Sequence, residues 1–108
     1  MKYCIINCTV SAKEEALKIA KELVDSKLIA CCNIIPNIIS VYNWNNKLQE
    51  DNEVLMIIKT KAELFENVKQ KILELHSYEV PEIIKIPIDE GSEDYLNWID
   101  NQTLKGSL

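Results

Sequence analysis

The feature that most constrains this chain is a pair of long extended runs in its middle. Residues 30–44, ACCNIIPNIISVYNW, are rich in isoleucine and aromatic side chains and read as extended. Asn45-Asn46 follows, and asparagine tolerates the positive φ of a tight hairpin turn. The return run, Leu48 to Lys59, begins polar and roughly alternating (LQEDNEV) and ends dense and apolar (VLMII). At about 3.3 Å per residue, strands of about a dozen residues reach roughly 40 Å. A domain of this size is only roughly 35 Å across. The hairpin should therefore overhang its own sheet while carrying Tyr42, Trp44 and Leu48 into water. An isolated two-stranded ribbon is marginal, so the overhang is expected to pair with other copies of the chain in a closed homo-oligomer. The rival reading is a long loop around Pro36 between two shorter strands; within a strand, Pro36 requires a bulge or an edge.

The flanks supply the rest of a domain. Tyr3 to Val10 mixes β-branched and small apolar residues, as a buried strand does. Because the N-terminal MKYCIINCTVS lacks a small-residue cleavage site, it reads as that strand and not as a signal peptide. Ser11 with Glu14 makes a capping box. The helix that follows carries Ala16, Ile19, Ala20, Leu23, Val24 and Lys27 at helical spacing. Thr60 with Glu63 makes a second box, opening a helix with Phe65, Val68, Ile72 and Leu75 on one face and an end near His76. Val80 to Ile88 reads as the last strand, and Ser92 caps a short final helix bearing Tyr95, Leu96, Trp98 and Ile99. The order is β-α-β-β-α-β-α. Its first six elements make the ferredoxin-like α+β topology, an antiparallel four-stranded sheet with two helices on one face.

Composition narrows the chemistry. Hydrophobic residues make up 47% and charged residues 27% of 108, ordinary for one globular domain over residues 1–108. The net charge is -5, the pI near 4.9, and all 12 basic residues are lysine, which argues against nucleic acid as a partner. With only two glycines, Gly91 and Gly106, neither a P-loop nor a dinucleotide fingerprint can be built. No run is long and apolar enough to span a bilayer. Cys4, Cys8, Cys31 and Cys32 form no CxxC pair and read as reduced thiols of a cytoplasmic protein.

Three segments together resemble a known family. The run LIACCNIIPNIISVYNWNNKLQEDNEVLMIIKT, the segment His76-Ser77-Tyr78-Glu79-Val80-Pro81-Glu82-Ile83 and the ending Tyr95-Leu96-Asn97-Trp98-Ile99 are similar to the CutA, or divalent-cation tolerance, pattern. The match runs from residue 3 to about 100 in the right order. The resemblance implies a ferredoxin-like homotrimer related in fold to PII signalling proteins, with hairpins interlocked between subunits. It also implies a link to divalent metals, notably copper, through a ligand set that falls by motif on Cys8, His76 and Glu82. The chain departs from the pattern at Asn37 and Asn46, where glycine is usual, and at Ser77, where proline follows the histidine.

Each candidate residue carries two readings. His76, the only histidine, stands three and six residues before Glu79 and Glu82. It is a metal ligand or proton carrier, or a cation at a helix C-terminus. Cys4 and Cys8 share one strand face while Cys31 and Cys32 point oppositely; each is a small hydrophobe, or, for Cys8, a ligand. A Cys/His/Glu set favours copper or zinc over magnesium or calcium. Glu50, Asp51 and Glu53 with Lys47 form a cation patch or a solvated strand that discourages edge pairing. Tyr42, Trp44, Lys59, Tyr78, Glu79 and Tyr95 are assigned to a cleft, for a ligand or for the subunit interface, with Trp98 as a further aromatic. Lys59 is an ion-pair partner or an anion contact.

The expectation is a non-enzymatic cytoplasmic homotrimer binding copper or another divalent metal, for tolerance or buffering, without nucleic acid or membrane. The alternative is a PII-like module that takes a small ligand between subunits or docks a partner protein. A third reading, an enzyme using Tyr78, His76 and Glu82 for acid–base work, lacks an evident nucleophile with its own base.

Overall fold

The structure, a computed structural model, describes residues 1–105; the last three positions of the domain expected over 1–108 lie outside the described residues. Its elements are β1 (Tyr3–Val10), α1 (Lys13–Asp25), β2 (Cys31–Trp44), β3 (Lys47–Lys61), a 3₁₀ turn (Ala62–Leu64), α2 (Phe65–Leu75), β4 (Ile83–Ile88) and α3 (Glu93–Gln102). One antiparallel sheet has the order β2-β3-β1-β4. This is the ferredoxin-like α+β fold, with a long β2–β3 hairpin and a C-terminal helix.

The core follows from alternation along the two central strands. Cys4, Ile6, Cys8 and Val10 of β1 and Val54, Met56 and Ile58 of β3 point to one face, where Ala16, Ile19 and Leu23 of α1 and Val68 and Ile72 of α2 bury them. The other face carries Ile5 and Ile57, half-buried, and Ile84 and Ile86, exposed. No helix of the α1–α2 layer reaches it.

The hairpin does leave its sheet. Pairing of β1 with β3 stops at Val10–Val54, so residues 47–53 pair only with residues 38–44. Seven residues a side extend the ribbon by about 23 Å, and the molecule measures 44 × 26 × 21 Å. Pro36 sits in a bulge, where the register shifts between Ile35 and Ile38, and Asn37 beside it has φ 63°. Asn45 and Asn46, at φ 53° and 62°, form the two-residue turn. Both central residues at positive φ make it the type I′ turn that matches strand twist. Asn37 and Asn46, which stand where the pattern that this chain resembles carries glycine, thus both occupy the left-handed region.

Local punctuation differs from expectation at four places. Neither capping box forms. Helix α1 begins one residue later, behind Ala12, and the Ser11 hydroxyl donates instead to Glu15 Oε1 at 3.1 Å. Thr60 stays within β3 opposite Cys4, and its hydroxyl donates to the Leu28 carbonyl at 2.7 Å. Val24 is 44% exposed, and Lys27 lies beyond the helix at φ 62°. The last strand starts at Ile83, not Val80: its pairing with β1 begins at Cys8–Ile83, and Pro81 has no N–H to add. The Ser92 cap does form, accepting from the Tyr95 N–H at 3.2 Å.

Candidate functional site

Ending α2 at Leu75 turns the chain sharply and aims His76 inward at the end of β1. Its Nε2 lies 2.7 Å from the Thr9 carbonyl, while Nδ1 is 3.0 Å from the Tyr78 N–H. An amide N–H can only donate, so Nδ1 accepts and the proton rests on Nε2, which donates to Thr9. The ring is fully buried and neutral in this tautomer, with both nitrogens engaged. Glu15 Oε2 stands 3.6 Å from Nδ1. Burial alone would raise the Glu15 carboxyl, but donation from the Ser77 N–H (2.8 Å), the Ser77 hydroxyl (3.0 Å) and Ser11 outweighs it and holds the group below the usual carboxylate range.

Cys8 meets the same carbonyl. Its thiol, 0% exposed, lies 3.8 Å from the Thr9 oxygen. Burial, reinforced by the negative charge of Glu82 and other nearby groups, pushes it up to about 12. Thiol and imidazole therefore converge on one backbone oxygen as protonated, neutral groups. Glu82 is exposed and acts on Cys8 only through its charge. Among the described residues, no three His, Cys, Asp or Glu side chains converge to hold a metal ion.

Thr9 also opens onto a cleft of about 830 Å³ between the arm and the 77–82 loop. The arm contributes Tyr42, Trp44 and Glu53, and the loop Tyr78, Glu79 and Glu82. Tyr78 is held at three points: its N–H on His76, its ring 4.8 Å from the imidazole, and its hydroxyl donating to Glu53 Oε2 at 2.5 Å. Burial first, then the Glu53 contact, pushes its phenol well above the usual range. The Tyr42 hydroxyl donates to Asp51, a bond that likewise raises its phenol. Among the described residues, no lysine lines the cleft.

The residues singled out from sequence thus sort into three places. Tyr42, Trp44, Tyr78, Glu79 and Glu82 share the cleft, whereas Cys8 and His76 meet behind it at Thr9. Lys59 and Tyr95 lie away from it, near the base of the hairpin. There the Lys59 ammonium donates to Asn33, and the Tyr95 hydroxyl is 3.5 Å from the Cys31 sulfur. Contact with Cys31, then burial, pushes the Tyr95 phenol up to about 12. Glu15, Ser77 and Thr9 escape sequence reasoning: 62 positions separate Glu15 from Ser77, and a backbone carbonyl carries no residue signature. Glu53, read as one of a charged trio with Glu50 and Asp51, is instead the acceptor that anchors Tyr78.

The family model described as "CutA1 divalent ion tolerance protein" matches residues 4–102. The chain is 41% identical over 99 residues to the divalent-cation tolerance protein CutA of Thermus thermophilus, covering 92% of this chain and 96% of that one. It is 44% identical over 99 residues to the chloroplastic protein CutA of Arabidopsis thaliana, covering 92% of this chain but only 54% of the relative, about half its length. A solved structure titled the periplasmic divalent cation tolerance protein CutA from Archaeoglobus fulgidus superposes with a TM-score of 0.90 at 41% identity, covering 93% of this chain and 97% of that one.

Proposed function

Because this chain belongs to the CutA1 divalent ion tolerance family, we propose that it works as a cytoplasmic homotrimer that binds a divalent metal, copper foremost, without catalysing a reaction. The observation that carries the metal reading is the meeting of Cys8 and His76 at the Thr9 carbonyl, with Glu82 close enough to perturb the thiol. Thiolate, imidazole and carboxylate are the donor types of copper and zinc. The fit is conditional, since the thiol is protonated and His76 spends both nitrogens on hydrogen bonds. A metal entering here displaces the thiol proton and the Thr9 bond, so affinity should rise with pH. Calorimetric copper titration should show a site that His76→Ala or Cys8→Ser weakens at least about 10-fold, and that tightens as pH rises. Unchanged affinity in both variants removes the assignment.

The trimer reading is supported by surface that a lone subunit leaves in water: the arm, and the sheet face bearing Ile84 and Ile86. Light scattering should return about three times the 12.4 kDa chain mass; a single-chain mass at micromolar concentration rules it out. A second reading, a PII-like trimeric module that takes a small ligand or docks a partner, is favoured by the cleft itself, since Tyr78 is fixed beside Glu53 before any ligand arrives.

A further inference from the structure

We propose that Glu53 and Tyr78 are positioning residues for His76, holding its ring in the tautomer that withholds Nε2 from a metal. When they let go, Glu15 takes the ring N–H instead. The proposal rests on the metal reading above and adds what controls its histidine donor.

Three groups compete for the two ring nitrogens. The Tyr78 N–H sits 3.0 Å from Nδ1 and can use it only as an acceptor, which leaves the one proton of neutral imidazole on Nε2. That proton goes to the Thr9 carbonyl at 2.7 Å, the oxygen that the Cys8 thiol also meets. Nε2 is therefore the nitrogen on the side of the thiol, and in this tautomer it has no lone pair to give. Glu15 competes for the other nitrogen. Its Oε2 lies 3.6 Å from Nδ1, beyond the roughly 2.7–3.2 Å of an N–H···O bond. Were Nδ1 to carry the proton, that carboxylate would be its acceptor, the arrangement that metal-bound histidines commonly show.

A hydrogen bond to a carboxylate is roughly twice as strong as one between neutral groups, so the ring needs restraint to stay with Tyr78. Glu15 is restrained by the Ser77 N–H at 2.8 Å and by the Ser77 and Ser11 hydroxyls. Tyr78 is restrained by its ring, 4.8 Å from the imidazole, and by its hydroxyl on Glu53 Oε2 at 2.5 Å. The Glu53 bond crosses from the loop to the root of the arm, one position beyond the end of the β1–β3 pairing. Cutting it frees the Tyr78 N–H to move off Nδ1, because residues 76–82 belong to no helix or strand. Each contact is made within one chain, and none needs the arm to be exposed.

The experiment reads the tautomer in the intact, metal-free protein, where the only histidine gives one set of imidazole 15N signals. At about pH 8, where imidazole is ordinarily neutral, the wild type should carry its proton on Nε2. Tyr78→Phe and Glu53→Ala should each raise the Nδ1–H population several-fold. Glu53→Gln, whose amide oxygen still accepts from the phenol, should keep the wild-type signature. Adding Glu15→Ala to Tyr78→Phe should return the proton to Nε2. Calorimetric copper titration of Tyr78→Phe should show affinity rising by the same factor as the Nδ1–H population, since apparent affinity scales with the competent fraction. A wild-type ring protonated on Nδ1, or an unchanged ring in Tyr78→Phe, overturns the proposal. So does a shift of equal size in Glu53→Gln. If the ring shifts as expected and copper binds neither protein, the positioning role stands and the metal reading falls. Copper that binds both equally breaks the link between tautomer and donor, which overturns the proposal.

Discussion

The two halves of β3 make an instructive pair. Residues 54–61 run between β1 and β2, alternate between buried and half-buried as far as Thr60, and end in the buried Lys61. Residues 47–53 belong to the same strand and the same hairpin, yet have a partner on one side only, and Leu48 is 79% exposed. Across the turn the pattern repeats, with Ile39 and Val41 each 65% exposed beside Ile34 packed against the core. Hydrophobic side chains in both halves have the same transfer energy, about 1.5–3 kcal/mol each when fully buried. Only the base realises it within one subunit. The tip leaves it unrealised in the single chain, so β-pairing alone does not explain the arm.

Mutations separate the two halves, the largest effect coming from the base. Ile58→Ala, at a position 0% exposed, should lower unfolding stability by about 2–5 kcal/mol at every protein concentration, as read by denaturant melts. A cost below about 1 kcal/mol would mean that the base is no better packed than the tip. The paired change Val41→Ser/Leu48→Ser should leave secondary structure intact but shift the concentration midpoint of assembly by about 10-fold or more, through lost apolar burial. An unchanged midpoint would show that this side of the arm stays in water.

Smaller effects probe the joints. Asn46→Ala places a Cβ-bearing residue without a helpful amide at φ 62° and should cost about 1 kcal/mol in a thermal melt, whereas Asn46→Gly should be neutral or stabilising. Glu15 gives a pH signature. Its folded-state pKa lies below the unfolded value, so its stabilisation is complete above the normal carboxylate range and is lost as pH falls through the depressed folded value. Glu15→Gln should therefore flatten the acid limb of a stability-versus-pH curve and loosen exchange protection at Ser77; an unaltered limb would mean that the Ser77 bonds contribute nothing.

Sequence reading succeeded where the cause was local. Tyr3–Val10 and the asparagine turn are recovered with their boundaries, and Pro36 does mark a bulge. It failed where another acceptor competed for the capping side chain. Ser11-x-x-Glu14 and Thr60-x-x-Glu63 both fit a capping box, yet Ser11 had a better use in the Glu15 carboxylate and Thr60 in the Leu28 carbonyl, 32 residues away. Within the candidate site, the aromatic and acidic members were legible as types, but their grouping was not. Lys59 and Tyr95 look equivalent to Tyr42 and Tyr78 on paper and lie at the opposite end of the hairpin.

Alternation, helical stripe and turn chemistry come from neighbours within a few positions, whose sterics and solvation act in any context; from these the amino-acid order by itself determined a four-stranded sheet with a hairpin that overhangs it. Tertiary structure alone decided that Cys8 and His76 share the Thr9 oxygen and that Glu15 captures Ser77. It alone also turned Glu53 from a surface charge into the anchor of Tyr78. Those choices depend on which carbonyls and carboxylates the folded chain brings within hydrogen-bond reach of a donor, and only closure of the whole chain sets such distances.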